Sequence, residues 1–198
     1  MEKQNSYTHI LKYTGLFGGV QGINILVGLV RNKLVALILG TMGMGLLALY
    51  SSTIKLVGDS TNLGLAISAV RDISAAYESG DRQKLERRIA VFRHWCLLTS
   101  LLGFVVCLAM APWLDEWTFS SGSHTLQFIL LAPVVGFTTF SSGELAILKA
   151  TRQLQAVAVS SLYLAIATLL LSVPIYYVWG NGGVVPSLVV VTLVQMLI

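Results

Sequence analysis

Residues 153–198 read QLQAVAVSSLYLAIATLLLSVPIYYVWGNGGVVPSLVVVTLVQMLI, a run of 46 residues without a formal charge. An α-helix that crosses a bilayer needs about 20 mainly apolar residues, so this run is too long for a single crossing. The turn-forming segment Trp179-Gly180-Asn181-Gly182-Gly183 divides it. The stretch therefore predicts two membrane helices joined by a tight turn.

The composition of the whole chain agrees with this interpretation. Its 198 residues are 55% hydrophobic and only 11% charged, and the mean hydropathy is +0.77. Soluble domains carry about 25% charged residues, so a water-soluble domain is excluded. Cys96 and Cys107 stand about 16 Å apart along one predicted helix, too far for a disulfide. No Cys/His cluster has metal-ligand spacing, and no cofactor is implied.

Four further charge-free intervals complete the predicted architecture. They lie between Lys12 and Arg31, Lys33 and Lys55, Arg93 and Asp115, and Glu116 and Glu144. We predict an all-α integral membrane protein, one transmembrane domain over residues 1–198. Its six predicted helices lie near 13–39, 44–69, 89–112, 125–148, 156–178 and 184–198. The sixth helix is still apolar where the sequence stops, so we expect a chain truncated at its C-terminus.

The basic residues predict the orientation of the chain. Ten of the thirteen lie before the first helix or in the connections after the second and fourth: Lys3, Lys12, Arg71, Arg82, Lys84, Arg87, Arg88, Arg93, Lys149 and Arg152. By the positive-inside rule, these segments and the N-terminus are cytoplasmic. An aromatic belt is predicted at the opposite ends, from Trp113, Trp117, Tyr176, Tyr177 and Trp179. Because the basic residues flank apolar spans, the net charge of +4 does not indicate a nucleic-acid partner.

Two polar stripes are predicted inside the membrane. In the first helix Gln21, Asn24, Gly28 and Arg31 recur on one face, and in the second Ser52, Lys55, Asp59 and Asn62 repeat that spacing. Ionisable groups at membrane depth are costly and usually face a cavity or a partner. The stripes therefore predict a common hydrated cavity, with Gln21, Asn24, Arg31, Lys55 and Asn62 as candidate substrate contacts.

Each charged candidate also has a structural interpretation. Arg31 could be a boundary residue that reaches the headgroups, and Lys55 could form an ion pair with Asp59. Glu144 lies five residues before Lys149, so an interfacial salt bridge competes with a role in ion coupling. Asp59 and Glu144 are the candidates for ion or proton coupling.

Several motifs resemble one transporter family. They are residues 28–40 (GLVRNKLVALILG), 43–46 (GMGL), 146–152 (AILKATR) and 174–187 (PIYYVWGNGGVVPS). In order and spacing the chain is similar to the Wzx-type O-antigen flippases. These form the polysaccharide transporter family within the multidrug/oligosaccharidyl-lipid/polysaccharide exporter superfamily. The resemblance covers nearly the whole chain.

The resemblance implies a transporter and not an enzyme. Such flippases move undecaprenyl-diphosphate-linked O-antigen or polysaccharide repeat units across the bacterial inner membrane by alternating access. The family has two six-helix lobes, so this chain would be the N-terminal lobe. Arg31 stands where related flippases keep a cavity cation. Implied partners are the lipid-linked oligosaccharide diphosphate, membrane lipids, and the polysaccharide polymerase with its chain-length machinery.

Two other functions remain as alternatives. A cation-coupled multidrug exporter of the same superfamily would favour carboxylates in its cavity, whereas the stripes here are net basic. A membrane enzyme acting on lipid-linked sugars would need a cluster of His, Asp or Glu on extended loops. Its few candidates, Asp115, Glu116 and His124, have no recognisable nucleophile–base pattern.

Overall fold

The structure is a computed structural model and describes residues 2–62, 64–119 and 125–197. Every element in that part is helical, which confirms the all-α prediction. The helices are α1 (Glu2–Asn62), α2 (Leu65–Glu78), α3 (Arg82–Phe119), α4 (Thr125–Ala150), α5 (Leu154–Trp179) and α6 (Val184–Leu197), with a 3₁₀ turn at Gly180–Gly183 between the last two.

Four helical stretches of the described residues are long and apolar enough to cross a membrane. They are Gly18–Asn62, Arg82–Thr118, Thr125–Ala150 and Leu154–Leu197. Large apolar side chains are exposed along them, among them Leu26 (63%), Leu37 (73%) and Leu101 (60%). Exposed apolar surface of this extent is typical of helices that contact lipid, so the fold is compatible with that of a membrane protein.

Gly40 interrupts α1. Its backbone angles are φ 66° and ψ −168°, outside the helical region, and they divide α1 into a first segment (residues 2–39) and a second segment (residues 41–62). The predicted loop over 40–43 is therefore reduced to one residue. A straight 45-residue helix over Gly18–Asn62 would be about 68 Å long, more than twice the thickness of the hydrocarbon core.

The predicted helix over 44–69 is wrong at its C-terminal end. The second segment of α1 ends at Asn62, and Gly64 adopts a left-handed conformation with φ 70°. A separate helix, α2, follows and buries Ala69, Ile73 and Ala76, which share one face. The prediction missed this amphipathic helix because its apolar residues continue the apolar sequence of the preceding helix.

The α4 helix lies at the centre of the bundle. Its buried residues face several neighbours, and small side chains bring α3 close to it. A Cβ atom at Gly143 would stand 2.5 Å from Cys96 Sγ, and one at Gly136 would stand 3.3 Å from the carbonyl oxygen of Ser100. Small residues at such contacts let membrane helices pack closely. These pairs show that α3 and α4 run in opposite directions.

Contacts of the two segments of α1 define their partners. The first segment bonds to α5 at Asn24–Ser161 and Arg31–Ser172, so it runs in the same direction as α5. The second segment contacts α4 at Tyr50–Gln127 and at Gly58–Thr139, so it runs in the same direction as α4.

The larger buried cluster shows how α4 and α5 are related. It joins Phe128 and Leu131, near the start of α4, to Tyr176, near the end of α5. The connection over residues 151–153 joins the end of α4 to the start of α5. The two helices therefore run in opposite directions.

Ion pairs collect at one end of the bundle. Arg93 pairs with Glu144, Arg88 with Asp72 (3.7 Å) and Arg152 with Glu78. They tie α2 and α4 to α3, and α2 to the turn after α4. The basic connections of the sequence thus meet at one end, which we call the basic end.

Exposed aromatic side chains lie at the opposite end. Trp113, Trp117, Tyr177 and Trp179 are 61–87% exposed. The inclusion of Tyr176 in the predicted aromatic belt is wrong, because that residue is 1% exposed and its hydroxyl bonds to Ser187 Oγ at 2.7 Å.

Candidate functional site

Arg31 and Asn24 lie between the first segment of α1 and α5. The Arg31 Nε donates a hydrogen bond to Ser172 Oγ at 3.3 Å, and Asn24 Nδ2 donates to Ser161 Oγ at 2.9 Å. Both residues are half-buried, and Ser172 is fully buried. Asn24 and Arg31 thus lie on one face of α1, as expected, and both contact α5. Gln21, the third polar residue of that stripe, is exposed.

The Arg31 guanidinium keeps most of its donors for another partner. A guanidinium carries five N–H groups, and only the Nε–H is used toward Ser172. Within the described part of the chain, no carboxylate lies within ion-pair distance of Arg31. The Arg31 side chain is therefore oriented by the neutral hydroxyl of Ser172. Its positive charge has no counter-ion among the residues that the structure describes.

The second stripe is exposed on the bundle. Lys55 and Asp59 are both exposed, and Asn62 is half-buried. Among the described residues no ion pair joins Lys55 to Asp59. The self-neutralised pair considered from the sequence is therefore not formed. No hydrogen bond between described residues joins this stripe to Arg31, so the common cavity stays a prediction.

Glu144 forms an interhelical ion pair. Its carboxylate accepts two hydrogen bonds from Arg93, from Nε and from Nη2, each 2.8 Å long. The partner expected from the sequence, Lys149, is exposed and not the residue that pairs with it. Glu144 thus forms a salt bridge, as one of the two interpretations expected, but its basic partner lies on α3. The coupling roles of Glu144 and Asp59 stay predictions.

Sequence reasoning missed the serine residues of α5. Ser161 and Ser172 hold Asn24 and Arg31 in place, and Thr168 stands on the same helical face between them. The signal was present as hydroxyl residues recurring at i, i+7 and i+11 within the charge-free run. Serine and threonine are common in membrane helices, so this spacing does not by itself distinguish Ser161 and Ser172 as contacts of the first stripe.

The residues considered for an enzyme are separated. Asp115 is fully buried, and its carboxylate accepts a hydrogen bond from Thr125 Oγ1 at 2.5 Å. Glu116 is exposed, and His124 lies outside the described residues. Among the described residues, no group of three His, Cys, Asp or Glu side chains could hold a metal ion. Asp115 therefore acts as a packing and hydrogen-bonding residue between α3 and α4.

The geometry as a whole is that of an apolar helical bundle in which the Arg31 guanidinium is held between the first segment of α1 and α5. Comparison of the chain with models of protein families, with curated proteins and with solved structures finds no match to any of them.

Proposed function

We propose that the chain is the N-terminal lobe of a flippase for lipid-linked oligosaccharides. The observation that carries the proposal is the Arg31 guanidinium, half-buried in an apolar helix and held by the Ser172 hydroxyl. A charge at such a position is costly, and charged residues at membrane depth usually mark a substrate or ion path.

The chemistry of Arg31 suits a diphosphate. Guanidinium groups bind phosphate oxygens through two parallel hydrogen bonds and remain charged at physiological pH. The donors not used toward Ser172 could approach a phosphate in this way. In the proposal Lys55 supplies a second positive contact from its exposed position, and Gln21, Asn24 and Asn62 supply hydrogen bonds to hydrated sugars.

We infer six crossings rather than four. The first segment of α1 runs with α5, the second runs with α4, and α4 and α5 are antiparallel, which supports a reversal of the chain at Gly40. The close approach of Gly43 to Leu39 also supports this reversal. The 3₁₀ turn at Gly180–Gly183 divides the last apolar stretch in the same manner.

Transport would proceed by alternating access. A second lobe would complete the cavity, and rocking of the two lobes would expose Arg31 to one side of the membrane and then to the other. In the proposal the membrane is the bacterial inner membrane, the N-terminus is cytoplasmic, and the polymerase and chain-length machinery act on the exported repeat unit.

The alternatives receive less support. A cation exporter needs an uncompensated carboxylate in its cavity, and Glu144 is neutralised by Arg93. Asp59 is the remaining candidate for that role. A membrane enzyme needs accessible acid–base groups, and Asp115 is buried against Thr125.

The test is export of lipid-linked repeat units by cells that produce the whole protein. Replacement of Arg31 by Ala should lower export at least tenfold, because a charge-assisted contact worth about 1.5–3 kcal/mol is lost. Arg31→Lys should also lose activity, since an ammonium cannot form the paired hydrogen bonds.

Lys33→Ala is the matched control. Lys33 lies two residues from Arg31, is exposed, and should tolerate the change with export unaltered. Export at the wild-type level by Arg31→Ala, with equal protein in the membrane, would contradict the proposed role of Arg31.

A further inference from the structure

One exposed face of α3 joins basic side chains at the basic end of the bundle to a row of apolar ones. Its members recur at the spacing of a single helical face, and all of them are exposed. In chain order they are Lys84, Arg87, Val91, Trp95, Leu98 and Leu102, and we call them the outer face of α3. The inner side of the helix buries Phe92 and Cys96 against α2 and α4.

The two cations of the outer face have no carboxylate partner in the described part of the chain. The ion pairs among those residues use Arg88, Arg93 and Arg152, and neither Lys84 nor Arg87 takes part. Like charges three or four residues apart on a helix repel each other, so Lys84 is repelled by both Arg87 and Arg88. A negatively charged partner would relieve this repulsion.

Trp95 lies where the outer face changes from charged to apolar. It is 54% exposed, and it stands about 12 Å along the helix axis from Arg87. The other three tryptophans of the chain lie at the aromatic end. Tryptophan is enriched where headgroups meet hydrocarbon, because its ring is apolar and its N–H is a hydrogen-bond donor. Trp95 therefore marks that boundary at the basic end.

The length of the outer face selects a lipid as its occupant. From Lys84 to Leu98 it extends about 21 Å, and one leaflet of a bilayer, headgroup included, is about 20–22 Å thick. A soluble anion or an acidic peptide would contact the cations and leave Leu98, which is 55% exposed, uncovered. A phospholipid covers both parts at once, since its phosphate is anionic and its acyl chains are apolar.

We propose that the outer face of α3 binds an anionic glycerophospholipid of the leaflet at the basic end. The phosphate contacts Lys84 and Arg87, the Trp95 ring lies at the level of the ester groups, and an acyl chain lies along Leu98 and Leu102. Basic residues beside a membrane helix attract anionic lipids in this manner. The inference does not depend on the proposed transport function, because no residue proposed for transport lies on this face.

The test measures the fluorescence of Trp95 in the whole protein, reconstituted into mixed bilayers of phosphatidylglycerol and phosphatidylcholine. Three replacements at exposed positions leave Trp95 as the only tryptophan of the sequence: Trp113→Phe, Trp117→Phe and Trp179→Phe. Bromine atoms are placed on the acyl chains of one lipid or of the other. Because bromine quenches a tryptophan that it contacts, the quenching reports which lipid lies against Trp95.

Brominated phosphatidylglycerol should quench Trp95 more strongly than brominated phosphatidylcholine at the same mole fraction. We expect a ratio of the two lipid binding constants of at least about 5, the effect of one cation at an anionic membrane surface. Lys84→Gln combined with Arg87→Gln should lower that ratio to about 1, because both phosphate contacts are lost. Arg88 is kept, since its pair with Asp72 ties α2 to α3.

Arg82→Gln is the matched control. Arg82 is exposed on the same helix, and its side chain points about 160° away from that of Lys84, so the preference for phosphatidylglycerol should persist. An equal loss of preference in Arg82→Gln would overturn the proposal, because general attraction to the basic end would explain it. Equal quenching by the two lipids before Lys84 and Arg87 are replaced would also overturn it. So would weak quenching by both, since protein would then cover the outer face.

Discussion

Tyr176 and Tyr177 are adjacent in the sequence and have opposite environments. Tyr176 is 1% exposed and bonds to Ser187, whereas Tyr177 is 81% exposed. Successive residues of a helix point about 100° apart, so one face of α5 packs against α6 while the other faces outward. Composition alone assigns both residues to an aromatic belt, and only the packing distinguishes them.

Tyr176→Phe should therefore destabilise the protein while Tyr177→Phe should not. The first change removes a buried hydroxyl from its bond with Ser187 and should lower the free energy of unfolding by about 1 kcal/mol. The second alters an exposed group and should stay within about 0.5 kcal/mol. Thermal unfolding of both variants in the same detergent measures the difference. Equal melting temperatures would contradict the hydrogen bond to Ser187.

Spacing predicted which residues share a face better than it predicted their partners. Asn24 and Arg31, seven residues apart, do lie on one side of α1. Glu144 and Lys149, five residues apart, point about 140° away from each other around the helix, so the nearby basic residue is not the partner. The partner of Glu144 is Arg93 on α3. Its position beside α4 depends on tertiary packing between parts of the chain that are distant in sequence.

At the scale of the elements, hydropathy predicted the positions of the helices well and their ends less well. The helical breaks at Gly40 and Gly64 depend on backbone angles that glycine alone adopts easily. The sequence offers many other glycines that remain helical, such as Gly45. For this reason the amphipathic helix α2, which begins directly after Gly64, could not be separated from the preceding span by apolar content.

Gly40→Ala should destabilise the protein because Gly40 has a positive φ of 66° with an extended ψ, a region essentially restricted to glycine. We expect a loss of about 1–3 kcal/mol in the free energy of unfolding. Gly45→Ala is the control: it lies in the same helix, and an added Cβ would meet nothing within 4 Å. That change should be neutral or stabilising by up to about 1 kcal/mol. If both variants unfolded at the wild-type temperature, Gly40 would not be a required break.

At the scale of the whole molecule, the two ends of the bundle differ in chemistry. Ion pairs and basic residues collect at one end, and the exposed side chains of Trp113, Trp117 and Trp179 lie at the other. Such an asymmetry is typical of a bundle that lies across a bilayer with one fixed orientation. If the chain reverses at Gly40, residues near that turn must reach the surface at the aromatic end. A single unbroken crossing over Gly18–Asn62 would instead leave them inside the membrane.

Cysteine labelling with a membrane-impermeant maleimide distinguishes six crossings from four. Cys96 and Cys107 are buried, so their background reaction should be low. With six crossings, Met42→Cys and Gly182→Cys should react from outside intact cells, because both residues are exposed near the turns.

The same experiment contains its own reference positions. Glu86→Cys, on the basic end, should react only after the cells are permeabilised, and Leu26→Cys, on an exposed apolar face, should stay unreactive in both conditions. Unreactive Met42→Cys together with reactive Gly182→Cys would contradict the reversal at Gly40, because residue 42 would then lie within the hydrocarbon core. Reaction of Met42→Cys from the same side as Glu86→Cys would contradict the alternation of the crossings, since the turn and the basic end would share one face of the membrane.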